Sequence, residues 1–193
     1  MRKILSILFF AGVASVLVPG TSAQEKKPVE PPKPAQRPCQ ELLWMWNNLG
    51  NKLIAMADDF PEEKYNFKAQ KDERTFGENL LHVASDYYGM ISVVQGSKAG
   101  PSVAEDSLRK IYTTKADISK LLRQAVADGA QLIEQQGDTG LTREFKSPWG
   151  NFMFHGSIGW AAAIEHAGEH FGQLVVYYRV NGMVPPESRS RNK

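Results

Sequence analysis

The chain has 193 residues, of which 42% are hydrophobic, with 23 lysines and arginines against 21 aspartates and glutamates. This composition excludes a disordered tail and a fibrous repeat, and it predicts one ordinary folded domain. The single cysteine, Cys39, excludes an internal disulfide.

Residues 1–23 have the pattern of a secretory signal peptide. Two basic residues follow Met1, an apolar run extends from Ile4 to Val18, and small residues lead to Ala23. The run is shorter than the roughly 20 residues that a membrane-spanning helix needs, and no later segment approaches that length. We therefore expect cleavage after Ala23, export to the periplasm or the medium, and no integral membrane association.

Residues 24–39 are predicted to form a proline-rich linker, because Gln24 to Pro38 holds five prolines among charged residues. A folded domain is predicted over 40–188, followed by a flexible tail over 189–193. Removal of Arg2 and Lys3 with the signal peptide leaves equal numbers of basic and acidic residues. This balance does not favour a nucleic-acid partner.

Two long helices are predicted in the first half of the domain. The first ends before Pro61, and its apolar residues follow a 3.6-residue period: Leu42, Trp46, Leu49, Leu53, Met56 and Phe60. The second begins at Thr75, where Glu78 completes a capping-box pattern, and ends at Gly96. Its apolar residues have the same spacing: Phe76, Leu80, Val83, Tyr87, Met90 and Val94.

Two more long helices are predicted in the second half. The third begins near Thr114, with Asp117 at the capping-box position, and ends near Gln136. The fourth extends from about Ser157 to Val180 and ends at Asn181 and Gly182. A short extra helix is predicted over 102–112 and a loop over 137–153. The chain is therefore predicted to be an all-α four-helix bundle with long connections.

Three of the four histidines have positions that favour a metal site. His166 and His170 lie one turn apart on the fourth predicted helix, which is a spacing that lets two imidazoles bind one cation. His82 lies on a polar flank of the second helix and could join them if these helices are neighbours. His155 is interpreted as a loop or helix-start residue, although a place lining the site stays open.

Further polar residues are candidates for the surroundings of that site. Asp86, four residues after His82, could accept a histidine N–H or act as a base, and Gln173 could orient a ligand imidazole or a bound water. Glu78 and Glu169 are weaker candidates. Residues 166–170 also match the inverted zinc-peptidase pattern H-x-x-E-H, but the short remainder of the chain leaves no room for that machinery. Cys39 is interpreted as a bystander thiol.

Several segments together resemble the DinB superfamily, which includes the YfiT-like proteins. The turn Phe60–Phe67 resembles the turn that follows the family's first helix, and Arg74–Ala84 resembles its helix-two histidine segment. His166–Gln173 and Tyr178–Pro186 are similar to its H-x3-H-x-G-Q segment and its Asn-Gly-x-x-Pro-Pro ending. The resemblance covers about residues 41–188. Phe171 departs from it, since many members have arginine there.

The resemblance implies a four-helix metalloprotein in which His82, His166 and His170 hold a divalent ion, zinc or nickel. Three imidazoles leave a coordination position open to water, which is the arrangement of a catalytic site. The predicted function is an exported metal-dependent hydrolase or thiol-dependent transferase with an unidentified small-molecule substrate. The alternatives are a non-catalytic metal-binding or stress-related bundle and a metal-free helical domain. Pairing into a homodimer through helix faces is a further expectation.

Overall fold

The computed structural model describes residues 37–97, 105–147 and 150–189. The predicted signal peptide, residues 1–23, lies outside the described residues, as do residues 24–36 of the linker, the start of the predicted short helix and residues 190–193 of the tail. The first helix begins at Pro38, two residues inside the segment predicted as linker. No helix in the described ranges has the length and apolar character needed to cross a membrane.

Five α-helices and a two-stranded hairpin form the regular structure of the described residues. They are α1 (Pro38–Asp59), α2 (Phe76–Gln95), α3 (Glu105–Ile111), α4 (Lys115–Thr142), β1 (Glu144–Lys146), β2 (Met153–His155) and α5 (Gly156–Val180), with short 3₁₀ turns at Glu62–Lys64 and Pro186–Ser188. The four long helices confirm the predicted all-α four-helix bundle, and α3 confirms the extra short helix over residues 105–111.

The start of α2 follows from its capping box. Thr75 Oγ1 accepts a hydrogen bond from the Glu78 backbone N–H at 3.1 Å, and a Glu78 carboxylate oxygen accepts one from the Thr75 N–H at 2.7 Å. These bonds satisfy donors that a helix leaves unpaired at its first turn. The predicted N-terminus of α2 is therefore confirmed, and the position of His82 along the helix is fixed by it.

The arrangement of the four long helices places α2 beside α5. Both α1 and α2 pack mainly against α4 and α5, while α1 and α2 make little contact with each other. The first two long helices, α1 and α2, are therefore separated in space although they are consecutive in sequence, which requires a long connection between them. The neighbouring positions of α2 and α5 meet the condition under which His82 could join His166 and His170.

The prediction of a loop over 137–153 is wrong in two places. Helical structure continues beyond Gln136 to Thr142 after a kink at Gly137, whose φ of 57° is readily adopted only by glycine. Strands β1 and β2 then pair antiparallel, with Phe145 opposite Phe154. Each strand has three residues, which is too short for an alternating pattern to stand out in the sequence.

The core of the bundle is aromatic and lies among all four long helices. Trp46, Tyr87 and Trp160 are fully buried there, with ring centroids 4.1 Å apart for Trp46 and Tyr87 and 5.3 Å apart for Trp46 and Trp160. A second aromatic group surrounds Phe60 and Phe76, whose stacked rings are 3.8 Å apart. These rigid contacts hold α2 and α5 in the positions from which their histidines meet.

Candidate metal centre

Three histidines from two helices converge on one point. His82 comes from α2, and His166 and His170 come from successive turns of α5. His166 Nε2 lies 3.1 Å from His82 Nε2 and 3.2 Å from His170 Nε2. The ligand atoms of the three side chains all lie within 4.8 Å of one another, as a shared cation requires. The structure thus brings together the three histidines that the sequence analysis selected.

The other ring nitrogen of each histidine faces a hydrogen-bond acceptor. His82 Nδ1 lies 2.8 Å from Glu105 Oε2, His166 Nδ1 lies 3.3 Å from Glu169 Oε2, and His170 Nδ1 lies 2.6 Å from Asn79 Oδ1. The short Nδ1 contacts of His82 and His170 favour a proton on Nδ1, so Nε2 of these two rings presents a lone pair to the shared point. In His166 both ring nitrogens face a carboxylate, because Nε2 lies 2.8 Å from Asp86 Oδ2, and binding of a metal ion at Nε2 would require the proton on Nδ1. Metal-binding histidines in proteins are oriented in this way.

Glu105 is the charged partner that orients His82. Burial acts to raise the pKa of Glu105, but hydrogen bonds from Arg74, Arg109 and His82 outweigh burial and lower the pKa to about 2. The carboxylate is therefore ionised at neutral pH. Arg74 Nη2 also lies 3.3 Å from His82 Nδ1, but the shorter contact of that nitrogen is to Glu105.

His170 is the most buried member of the group. Burial, together with repulsion from His82, His166 and Arg74, lowers the pKa of His170 to about 4. The imidazole is therefore neutral at pH 7, which is the form that donates a lone pair to a metal ion. Gln173 Oε1, 3.1 Å from His170 Nδ1, lies on the same side of the ring as the Asn79 amide.

Asp86 adds a fourth electron-pair donor at the edge of the cluster. Its buried Oδ2 atom makes no well-aligned hydrogen bond, but it lies 2.8 Å from His166 Nε2 and 3.2 Å from His82 Nε2. In the tautomer that metal binding requires, with every ring proton on Nδ1, this carboxylate oxygen and three imidazole lone pairs face one another. Such an arrangement is repulsive in the absence of a cation. The residues present therefore fit a divalent metal ion.

The other residues that the sequence singled out lie away from the cluster or have structural roles. His155 is the N-cap residue of α5, and its exposed ring lies 3.9 Å from a Glu144 carboxylate oxygen, away from the cluster. Glu78 belongs to the capping box and pairs with Arg109 at 2.8 Å. Cys39 is a buried free cysteine at the start of α1, where its backbone N–H donates to Asp138.

Sequence reasoning missed Asn79 and Glu105, which hold two of the three imidazoles. Asn79 is three residues before His82 on α2, but its partner His170 is 91 residues further along the chain. Glu105 lies on the short helix α3, 23 residues from His82. Neither contact has a spacing signal, because each depends on how separate elements pack. A polar Asn79 within the apolar stretch of α2 was the one available indication.

An apolar pocket of about 330 Å³ adjoins the cluster. Asp86 and His166 lie in its wall, and most of the remaining lining comes from apolar residues of α2, α5 and the hairpin, namely Met90, Phe152, Phe154, Ile158, Ala162 and Ala163. Its volume falls within the range of about 300–1,000 Å³ that is usual for small-molecule sites. The cluster is thus reached through a pocket large enough for an organic molecule.

Metal sites in four-helix bundles are built from side chains that face one another on neighbouring helices, which is how α2 and α5 present these three histidines. The sequence profile of the DinB superfamily matches residues 45–174, which is most of the domain. The chain therefore belongs to the DinB superfamily, as its sequence motifs predicted. Family membership and the three-histidine cluster are both compatible with the binding of a divalent metal ion.

A solved structure supports the same fold. The chain is similar to a DinB-like protein from Bacillus cereus ATCC 10987, with a TM-score of 0.61 and 19% sequence identity. The alignment covers 76% of this chain and 95% of that protein. No curated protein matches the chain. At this identity the likeness establishes the fold alone, and the chemistry has to be argued from the site.

Proposed function

We propose that the protein is a metal-dependent enzyme that binds zinc or nickel through Nε2 of His82, His166 and His170. The convergence of these three nitrogens, in rings whose Nδ1 atoms each face an acceptor, is the observation that carries the proposal. A bound divalent ion would supply a Lewis acid that activates water or a thiol. The reaction classes that follow are hydrolysis and thiol-dependent transfer.

Asp86 is the residue that we assign to proton transfer. Its Oδ2 atom is beside the histidine nitrogens, and the side chain also lines the apolar pocket. A carboxylate at this junction is placed to take a proton from a nucleophile, either water or a thiol, and to hold that proton at Oδ2. Asn79, Gln173 and Glu105 do not reach the pocket wall and serve to fix the imidazole rings.

The Asp86→Asn variant tests this division of roles. Asparagine keeps the size of the side chain but removes its basicity, so we expect one metal ion per chain to be retained and turnover to fall by about 100-fold or more. Elemental analysis and activity toward a panel of esters, amides and thiol acceptors are the two measurements. Loss of the ion together with activity would instead make Asp86 a ligand that closes the site, as in a non-catalytic metal-binding protein.

Glu105→Gln tests the support of His82. Glutamine is of similar size and its amide oxygen can still accept a hydrogen bond from His82 Nδ1, but it lacks the negative charge that strengthens this bond, so metal affinity is expected to fall by about 10- to 100-fold. Isothermal calorimetry with zinc measures the change. The matched control is Asp106→Asn, which removes a charge from the exposed neighbouring residue on α3 and is expected to have no effect.

We also infer that the protein is exported, on the strength of the signal-peptide pattern over residues 1–23. Expression of the full chain in a Gram-negative host is expected to yield a periplasmic protein whose first residue is Gln24. Sequencing of the N-terminus measures this directly. Recovery of the uncleaved chain from the cytoplasm would refute the inference without affecting the metal site.

A further inference from the structure

The pocket beside the cluster follows one face of α5 and ends at a metal-ligand candidate. Ile158, Ala162 and His166 are spaced four residues apart, so they line a track of about 12 Å along the helix. Gly159 and Ala163 lie between them, and the absence of a side chain at Gly159 lets Met90 and Phe154 pack directly against the helix. The track therefore has the length of a medium alkyl chain or a pair of fused rings.

The sides of this track are bulky and apolar. Met90 projects from α2, and Phe152 and Phe154 come from the hairpin, so that three elements line the track, which is open to solvent along its outer side at Phe152 and Ile158. Among the described residues that line it, Asp86 and His166 alone carry polar side-chain atoms, and both belong to the histidine cluster. A molecule bound here would meet polar groups at one end only.

We propose that the pocket binds a small amphiphilic molecule, with an alkyl or aryl body along α5 and a metal-binding donor group at the Asp86 and His166 end. This inference rests on the proposed function, because the donor group requires the metal ion. The described lining contains no lysine or arginine, which disfavours phosphorylated ligands. Its apolar walls also disfavour sugars, whose hydroxyl groups would be left without partners.

A pair of hydroxamates provides the test. Acetohydroxamic acid and octanohydroxamic acid carry the same metal-binding group and differ in the length of the alkyl chain. Each methylene buried in an apolar site raises affinity by about fourfold, so partial burial of the longer chain predicts a preference of about 50-fold for octanohydroxamic acid. The affinities are measured by calorimetry on the mature, metal-loaded protein.

Two variants on neighbouring positions of α5 separate the pocket from non-specific binding. Ala162 is exposed at the rim of the pocket, so Ala162→Phe is expected to fold normally, to fill the track and to reduce the preference by about tenfold or more. The loss of affinity should be larger for octanohydroxamic acid than for acetohydroxamic acid. Ala161→Phe adds the same ring at an exposed position that is not part of the pocket lining and should keep the full preference.

The outcomes distinguish this inference from the proposed function. Equal affinity for the two hydroxamates, or the same preference in wild type and Ala162→Phe, would overturn the apolar subsite and leave the metal site standing. Failure of both compounds to bind, together with absence of metal by elemental analysis, would overturn the subsite and the proposed function together.

Discussion

Replacement of His82, His166 or His170 by alanine is expected to abolish stoichiometric binding of a divalent cation. Each imidazole provides one of three converging Nε2 atoms, and removal of one leaves two nitrogens that cannot hold the ion. The loss of a residue that supports a metal ligand lowers metal affinity by about 10- to 100-fold. The loss of a ligand itself is therefore expected to lower metal affinity by more than about 100-fold. Calorimetric titration with zinc and with nickel measures the change.

His155→Ala is the matched control for these three variants. His155 is a histidine of the same chain, but its ring is exposed at the N-terminus of α5 and lies near Glu144 instead of the cluster. Its replacement is expected to leave the affinity unchanged. An equal loss of affinity in all four variants would contradict the geometry, since it would indicate unspecific histidine binding on the surface.

Replacement of Trp46 by alanine is expected to lower the free energy of unfolding by about 3–5 kcal/mol. The indole is fully buried against Tyr87 and Trp160, and its Nε1–H donates to the Val126 carbonyl oxygen at 2.9 Å. The variant loses these contacts and leaves a buried carbonyl oxygen without its partner. Urea denaturation followed by circular dichroism measures the difference.

Trp44→Ala is the control on the same helix. Trp44 is 67% exposed, whereas Trp46 is 0% exposed, so removal of the Trp44 ring is expected to change the free energy of unfolding by less than about 0.5 kcal/mol.

Gly129→Ala tests the packing around Trp46 from α4, because a side chain at residue 129 would meet the Trp46 ring. It is expected to cost about 1–3 kcal/mol. Similar effects from Trp44→Ala and Trp46→Ala would refute this account of the core.

The long helices could be predicted because their sequences carry two independent signals. Trp46, Leu53 and Met56 recur at a helical period along α1 and are all buried in the structure. At α2 the Thr75 capping box and Gly96 mark the ends, and both are confirmed. The hairpin and the extension of α4 past Gly137 could not be predicted, because a three-residue strand and a single helical turn carry too few residues for a period to appear.

Only part of the candidate site could be predicted from the sequence. The spacing of His166 and His170 follows from one helix and needs no tertiary information. His82 could be added only on the condition that its helix lies beside α5, which the packing meets. Glu105 could not be identified, since α3 has to fold back against α2 before its carboxylate reaches His82.

The pocket could not be predicted from the sequence either, because it depends on how separate elements pack. Its walls come from α2, α5 and the hairpin. Phe152 lies in the segment 137–153 that was predicted to be a loop, and Phe154 lies between that segment and the predicted fourth helix, so their contribution to a binding surface could not be inferred. Cavities are properties of how elements pack, and the apolar residues that line one have the same sequence pattern as residues of a core.

The most direct test of the account is the metal content of residues Gln24 to Lys193, the chain expected after signal cleavage, purified without a histidine tag. Elemental mass spectrometry is expected to find about one zinc or nickel ion per chain and none in His166→Ala, because the three Nε2 atoms form a single site. Absence of metal from the folded wild-type protein, even after incubation with each ion, would contradict the central claim that these histidines bind a metal.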